Sequence, residues 1–152
     1  MFPFNVRVYG VLMDERKRVL VADEFIRGHF VTKFPGGGLE FGEGTRDCLK
    51  REFLEETGLE VIIGDHLYTT DFFQRSAFNA NDQVLSIYYR VQAEQSFSLV
   101  TKEKLFDFEP SAIIDPLGEA EVFRWIDWED LHAGCFTLPI DKIVADLVKA
   151  VY

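Results

Sequence analysis

The 152 residues suit one domain with a single substantial core, and a composition of 47% hydrophobic and 14% aromatic residues excludes a disordered chain. The net charge of −10 argues against unaided binding to nucleic acid or to an anionic membrane, because both depend on Lys and Arg contacts with phosphates. If the ligand is an anion, another group must supply positive charge.

The chain shows no targeting or membrane signal. No apolar run approaches the roughly 18 residues that span a bilayer, and the N-terminal stretch MFPFNVRVYG lacks a basic region followed by a long apolar one. Cys48 and Cys135 lack metal-type spacing, so two reduced thiols are expected, with a disulfide between them as the less favoured alternative. A cytoplasmic protein is predicted.

Patterns of apolar residues predict the elements in the first half of the chain. Three strands are expected over residues 5–13, 19–25 and 30–34, and the third leads into a glycine-rich loop. A helix is expected to begin near Thr45, as its N-cap, and to end at Gly58. Strands over residues 59–63 and 67–74 follow, with a bend or bulge near Gly64.

In the second half of the chain the predicted strands and helices are separated by a segment without a regular pattern. Residues 84–93 and 121–126 are predicted strands, residues 128–132 a short helix, and the apolar spacing from Ile140 to Val151 predicts a packed final helix. Residues 94–118 have no clean period, and a lid or a subunit contact in a homodimer is the expected use of such a segment. A single mixed α/β domain over residues 1–152 is predicted.

Three glutamates share one side of the predicted central helix. Glu52 is followed by Glu55 at i,i+3 and by Glu56 at i,i+4, so like charges lie close together. Arg51 can reach Glu55, but neither Glu52 nor Glu56 has a Lys or Arg three or four positions away in the sequence. A hard divalent cation bound by carboxylate oxygens fits this pattern, and a solvated acidic surface remains the alternative.

The glycine-rich stretch before the helix fails as a nucleotide-binding loop of the two common kinds. Its spacing imitates a P-loop, but Glu43 and Gly44 stand where that loop needs Lys and Ser or Thr. Phe41 occupies the third glycine position of the dinucleotide fingerprint. Another function for the loop is required.

Loop and helix together resemble the Nudix box, G-x5-E-x7-R-E-U-x-E-E-x-G-U, in which U is a bulky aliphatic residue. The fixed positions are matched without insertion by Gly37, Glu43, Arg51, Glu52, Glu55, Glu56, Gly58 and Leu59. Phe53 is aromatic where an aliphatic residue is usual, and it is expected to alter packing only. The flanking strand order and the closing helix also look like the Nudix fold, an α/β/α sandwich with a mixed β-sheet between helices.

The resemblance implies an enzyme that cuts a phosphoanhydride bond of a nucleoside diphosphate linked to another group, with Mg²⁺ or Mn²⁺ as cofactor. Metal and enzyme would stabilise the charge that develops on the phosphoryl oxygens. The implied metal ligands are Glu52, Glu55 and Glu56 with the carbonyl of Gly37. Glu52 is also the candidate general base.

Other catalytic-site residues implied by the resemblance act around these ligands. Arg51 would hold and orient the carboxylates, and Glu43 would support the loop and the helix start rather than bind metal directly. Many relatives recruit one more acid from a loop before a late strand, for which Glu119 and Glu121 are the candidates. Glu119 is preferred because the strand predicted over residues 121–126 already includes Glu121; a solvated loop acid is the alternative for either.

The remaining polar and aromatic candidates are weaker. The three histidines are scattered, and only His29, near the glycine loop, is a candidate for touching substrate. The aromatic residues Phe72, Phe73, Phe78 and Tyr88 either stack on a base or belong to the core.

The expected ligand is a small nucleoside diphosphate derivative. The chain lacks the downstream motifs associated with ADP-ribose, dinucleoside polyphosphate and NADH enzymes of the family. A nucleoside triphosphate, giving monophosphate and pyrophosphate, is the leading substrate class, and a nucleotide sugar is second. A non-catalytic nucleotide sensor and a diphosphate isomerase are the alternatives from other classes, and the complete box disfavours the sensor.

Overall fold

The computed structural model describes residues 3–152, and these residues divide into two compact units. Residues 3–12 and Pro35–Phe97 form the first unit, and Met13–Phe34 and Ser98–Tyr152 form the second. No helix in the described part of the chain is long and apolar enough to cross a membrane.

The first unit is a mixed sheet with one helix. Its elements are β1 (Phe4–Leu12), β4 (Gly36–Gly38), α1 (Thr45–Thr57), β5 (Val61–Thr69) and β6 (Gln83–Ala93). The strand order is β4-β1-β6-β5, in which β1 runs parallel to β6 and the other neighbours are antiparallel. Helix α1 contacts β1, β4 and β5 and buries Cys48, Leu49 and Phe53. The mixed α/β class with a mixed sheet, predicted from the sequence, is confirmed.

The second unit is an antiparallel sheet with a terminal helix. Its elements are β2 (Arg18–Ile26), β3 (His29–Lys33), β7 (Glu119–Asp127) and α2 (Pro139–Val151), and the strand order is β3-β2-β7. Short 3-10 helices lie at Pro110–Ile113, Trp128–Asp130 and Ala133–Cys135. The packed final helix is confirmed, because Ile140, Val144 and Val148 are buried. Ile143 and Val151, which the spacing placed on the same face, are exposed.

A buried carboxylate anchors the irregular segment of the second unit. Asp23 is fully buried; it accepts hydrogen bonds from Arg124 Nε at 2.8 Å and from the Thr32 hydroxyl at 2.8 Å. It also accepts one from the backbone N–H of Phe106 at 3.2 Å, where φ is 52°. The part of the irregular segment around Phe106 is therefore held by specific hydrogen bonds. Its use as a lid or subunit contact stays a prediction.

Most predicted strands lie within two residues of the observed ones, and the differences have local causes. Thr45 is the first residue of α1 rather than its N-cap, which is Gly44; the Thr45 hydroxyl instead lies 2.7 Å from Tyr89 Oη. The two strands predicted on either side of Gly64 are one strand, β5, whose register shifts around His66 absorb the irregularity. The first half of the glycine loop is itself strand β4.

Phe53, the unusual aromatic residue of the box, is accommodated by a glycine on β1. Phe53 is 1% exposed, and a Cβ built at Gly10 would lie 2.8 Å from its ring and 2.6 Å from a Val91 methyl group. Separations this short are not tolerated without movement of the packed side chains.

Gly10→Ala should therefore lower the free energy of unfolding by about 1–3 kcal/mol, the usual effect of overpacking. Urea unfolding measures it, and adding Phe53→Leu to Gly10→Ala should recover part of the loss. A Gly10→Ala protein as stable as the wild type would contradict this packing.

Candidate active site

The glycine strand and the acidic helix are brought together by backbone geometry. Strand β4 pairs with β1, with Gly37 opposite Val8, and α1 follows after six residues. The helix stops at Gly58, whose left-handed φ of 73° lets its N–H bond to the Leu54 carbonyl. A Cβ built at Gly37 would overlap the carboxylate of Glu52. Only a glycine lets this strand lie directly against that carboxylate.

Arg51 is the centre of a hydrogen-bond network. Its Nε and Nη2 donate to the two carboxylate oxygens of Glu43 at 2.9 and 2.6 Å. Its Nη1 donates to Glu52 at 2.9 Å and to Glu55 at 3.2 Å. Nη2 also donates to the carbonyl of Gly38 at 3.1 Å. One planar guanidinium thus ties the loop, the strand and the helix together.

This network shifts the pKa values of its members. Hydrogen bonds from Arg51, and then from the backbone N–H of Glu40, lower the pKa of Glu43 from 4.5 to about 2. The hydrogen bonds to Glu43 raise the pKa of Arg51 above its ordinary range. Glu43 therefore remains a carboxylate, and Arg51 remains a cation, throughout the neutral range.

Cys48 is a member of the network that the sequence did not single out. Its thiol lies 3.5 Å from the Gly38 carbonyl and 3.7 Å from Arg51 Nη2. Burial, and then its hydrogen bond with Glu43, raise the pKa of this thiol to about 12, so it stays protonated. Both Cys48 and Cys135 carry free thiols.

The three glutamates of the helix face differ in exposure. Glu52 has a side chain that is only 13% exposed, Glu55 is 60% exposed, and Glu56 is intermediate. The spacing of three and four residues predicts no cationic partner for Glu52. The structure corrects this, because Nη1 of the adjacent Arg51 lies 2.9 Å from the Glu52 carboxylate.

Comparison with known proteins decides the family. The sequence-family model described as NUDIX domain matches residues 3–147 of this chain. The chain belongs to the Nudix hydrolase family.

Solved structures show the same fold. A NUDIX hydrolase from Nitrosomonas europaea has 22% identity, a TM-score of 0.67 and coverage of 96% of this chain and 88% of its own. A MutT protein from Methanosarcina mazei Go1 has 19% identity and a TM-score of 0.64, over 97% of this chain and 92% of its own. These likenesses confirm the predicted Nudix-type mixed α/β fold.

A curated relative is similar over part of its length and part of this chain. This protein, the uncharacterized Nudix hydrolase YvcI of Bacillus subtilis, is 39% identical over 56 residues. The match spans 37% of this chain and about a third, 34%, of the relative.

The Nudix box supplies oxygen ligands, which are the kind that a hard divalent cation binds. Among residues 3–152 no three His, Cys, Asp or Glu side chains are grouped closely enough to hold a metal ion as they stand. The donors are nevertheless all oxygens, and the backbone of Gly37 already lies against the carboxylate of Glu52 with no side chain between them. Binding would require Glu55 and Glu56, one turn along the same face, to rotate toward Glu52.

Gly37→Ala should separate strand β4 from the carboxylate of Glu52. The added methyl group would occupy the position of the Glu52 carboxylate, which would have to move away from both Gly37 and Arg51. We expect kcat to fall by about a hundredfold, the effect typical of misplacing a catalytic group by 1 Å. Gly44→Ala is the control, because its Cβ would find only Asp47 Oδ2, at 3.5 Å. Near-normal kcat in Gly37→Ala would contradict this juxtaposition.

The two acidic residues proposed as a further site acid, Glu119 and Glu121, lie in a strand of the second unit. Both Glu119 and Glu121 belong to β7, so the prediction that Glu119 precedes the strand is wrong; it is the first residue of β7 and pairs with Ile26. Glu121 lies opposite Glu24, which forms an ion pair with Lys33 at 2.9 Å. Hydrogen-bonded pairing with β2 makes β7 longer than the strand over residues 121–126 that the apolar pattern predicted. A catalytic role for either acid stays a prediction.

The aromatic candidates separate into core and surface. Tyr88 is 1% exposed and its ring lies 5.3 Å from that of Tyr9, so it belongs to the core. Phe72 and Phe73 are exposed in the loop after β5. His29 is exposed at the start of β3.

Proposed function

We propose that this chain hydrolyses a phosphoanhydride bond in a nucleoside diphosphate linked to another group, using Mg²⁺ or Mn²⁺. The observation that carries the proposal is the contact of Gly37 with the Glu52 carboxylate, fixed by the Arg51 network. A bare acidic surface would not need a glycine strand placed against one of its carboxylates. A nucleoside triphosphate, giving monophosphate and pyrophosphate, is the substrate class we propose first.

The chain's own residues have distinct tasks in this proposal. Glu52, Glu55, Glu56 and the Gly37 carbonyl would hold the cation, and Glu52 would also accept the proton of the attacking water as general base. When bound, the cation supplies positive charge to the phosphoryl oxygens and makes water easier to deprotonate. Arg51 keeps Glu52 in place through Nη1 and is itself held by Glu43 through Nε and Nη2.

The cation also answers the charge problem set by the sequence. A chain of net charge −10 repels a polyanionic nucleotide, and the box adds to that repulsion locally. Metal bound at the carboxylates reverses the sign of the field where the phosphate chain must lie.

A phosphate-release screen with the purified protein tests the reaction. Nucleoside triphosphates are assayed with added inorganic pyrophosphatase, and nucleotide sugars with alkaline phosphatase, which acts on the sugar phosphate product and not on the intact nucleotide sugar. Each hydrolysis is run with Mg²⁺, Mn²⁺ or EDTA and stopped, and the coupling enzyme is added afterwards with excess Mg²⁺, so that only the first step senses the chelator. Metal-dependent release from triphosphates supports the leading proposal, release from nucleotide sugars supports the second class, and metal-independent release would contradict the proposed mechanism.

We further propose that residues 1–152 act as one domain in the cytoplasm, with a homodimer as the candidate assembly. The family match runs without interruption over residues 3–147, and the chain passes between the two units three times, which supports one domain. Light scattering on the eluted protein measures its mass, and a monomer at micromolar concentration would contradict the dimer.

A further inference from the structure

The irregular segment of the second unit presents apolar side chains to solvent. Leu105 is 59% exposed, and Phe30 of strand β3 is 44% exposed. The ring of Phe30 lies 5.4 Å from that of Phe106, the residue after Leu105, and 6.2 Å from that of Phe108. Exposed apolar surface that is contiguous, rather than scattered in single residues, is typical of an interaction site.

This part of the segment is held in place by the strands of its own unit. The backbone N–H of Lys102 donates to the Phe123 carbonyl at 2.8 Å, and the backbone N–H of Phe106 donates to the buried Asp23 carboxylate at 3.2 Å. Phe108 is 8% exposed. The segment therefore presents its exposed side chains in one arrangement, which lowers the entropy that a partner loses on binding.

The backbone is strained where the exposed apolar side chain leaves it. Phe106 has a φ of 52°, a left-handed conformation that is costly for a residue with a Cβ. Strain of this kind persists where the surrounding structure enforces it, here through the hydrogen bond to Asp23, and it is concentrated at functional positions.

The charges on the two sides of Leu105 form a self-complementary pattern. Lys102 and Lys104 precede Leu105, and Asp107 and Glu109 follow it. When two copies of this segment cross antiparallel at Leu105, Lys104 of each copy lies opposite Asp107 of the other, and Lys102 lies opposite Glu109. A two-fold axis generates every such contact twice, which is the property of an isologous interface.

These charges are available to a partner. Lys104, Asp107 and Glu109 are exposed, and neither they nor Lys102 form an ion pair among residues 3–152. Glu103 falls opposite the buried Phe108 in the antiparallel crossing and meets no charge there. A partner of one charge sign is opposed by half of the four residues, whereas a second copy of the chain complements all of them.

We propose that residues 102–109 form the contact of a homodimer, in which the two segments cross antiparallel at Leu105. Lys104 of one copy pairs with Asp107 of the other, Lys102 pairs with Glu109, and the two Leu105 side chains are covered at the centre. This inference rests on the homodimer proposed above for the existence of an assembly and gives that assembly its contact surface. The proposed hydrolysis plays no part in it.

Charge reversal, followed by light scattering over a range of protein concentrations, tests this contact. Lys104→Glu places two carboxylates opposite each other at both symmetric contacts, and Asp107→Lys places two ammonium groups there. We expect each variant alone to dimerise about tenfold more weakly than the wild type, because like charges are then opposed at the interface. An equimolar mixture of the two variants should recover the dimer. In the mixed dimer the new carboxylate faces the new ammonium group, and the native pair remains at the second contact.

The controls separate the contact from general effects of charge and folding. Arg16→Glu, in the exposed turn after β1, makes the same change in net charge as Lys104→Glu and should dimerise as the wild type does. Leu105→Ser should weaken the dimer by about tenfold, whereas Val151→Ser, at the 64% exposed end of α2, should not. Circular dichroism checks that each variant is folded.

The outcomes distinguish this contact from the proposals on which it depends. A monomeric wild type would overturn both the homodimer and the contact, even if a nucleotide is hydrolysed. A wild-type dimer that persists equally in both charge variants, or a mixture no more associated than its two components, would overturn the contact alone. If either charge variant is unfolded, the comparison of Leu105→Ser with Val151→Ser decides, and equal dimerisation of those two proteins would overturn the contact.

Discussion

Glu52→Gln should lower kcat by about 10²–10⁴-fold, the range that loss of a general base produces. The amide cannot accept the proton of the attacking water, and it is a poorer ligand for a hard cation than a carboxylate. Folding should be little affected, because the amide oxygen can still accept the hydrogen bond that Arg51 Nη1 now donates at 2.9 Å. Glu56→Gln should also reduce turnover strongly, through the proposed metal ligand.

The control for both variants is Glu60→Gln, which removes the same charge from an exposed residue just beyond the helix. Steady-state kinetics at saturating Mg²⁺, with circular dichroism to check the fold, give the comparison. If Glu52→Gln kept more than a tenth of the wild-type kcat, Glu52 would be neither base nor ligand.

Arg51→Met should damage both stability and activity, because four hydrogen-bonded groups lose their common donor. Glu43, Glu52, Glu55 and the Gly38 carbonyl all accept from this guanidinium, whose side chain is 23% exposed. We expect the free energy of unfolding to fall by about 1–3 kcal/mol, given the partial exposure. We also expect kcat to fall by about 10- to 100-fold, the effect of losing a residue that orients metal ligands.

Arg51→Lys distinguishes charge from geometry. Lysine keeps the charge but cannot donate bidentately to Glu43 while also reaching Glu52 and Glu55. Its kcat and unfolding midpoint should therefore lie close to those of Arg51→Met. A lysine variant with wild-type kcat would show that the planar network is not needed.

The Arg51 network also predicts a pH dependence. The pKa of Glu43 is about 2 in the folded chain and its ordinary value is 4.5, so the folded state binds this proton less readily. The stabilising contribution is therefore complete above the ordinary value and is lost as the pH falls toward 2. Urea unfolding of wild type between pH 5 and pH 2 should show this loss, and Arg51→Met should show less of it. Parallel pH profiles for the two proteins would contradict the assigned cause.

The arrangement of the box could be predicted from the sequence because it depends on residues that are close together along the chain. The spacing of Glu52, Glu55 and Glu56 follows from helical geometry, and the stop at Gly58 follows from the left-handed conformation that glycine readily adopts. Spacing could not show that Arg51 reaches the adjacent Glu52, because that contact depends on a side-chain conformation selected by Glu43 and Gly38.

What the sequence missed depends on strand pairing. The sequence predicts a loop at Gly36–Gly38 because glycine has no preference for strands. Antiparallel pairing with β1 makes this segment a strand. The same pairing brings Arg7 beside Gly38, although 31 positions separate them. Alternating apolar residues predict that Glu119 lies in a loop, because they do not show that pairing between β2 and β7 continues past them.

Binding of Mn²⁺ to the purified protein, followed by the electron paramagnetic resonance signal of the free ion, tests most directly whether the helix carboxylates form a metal site. We expect wild type to bind Mn²⁺ and Mg²⁺ to compete for the same site, with affinity at least tenfold weaker in Glu56→Gln and unchanged in Glu60→Gln. Equal Mn²⁺ affinity in wild type and Glu56→Gln would contradict the metal site.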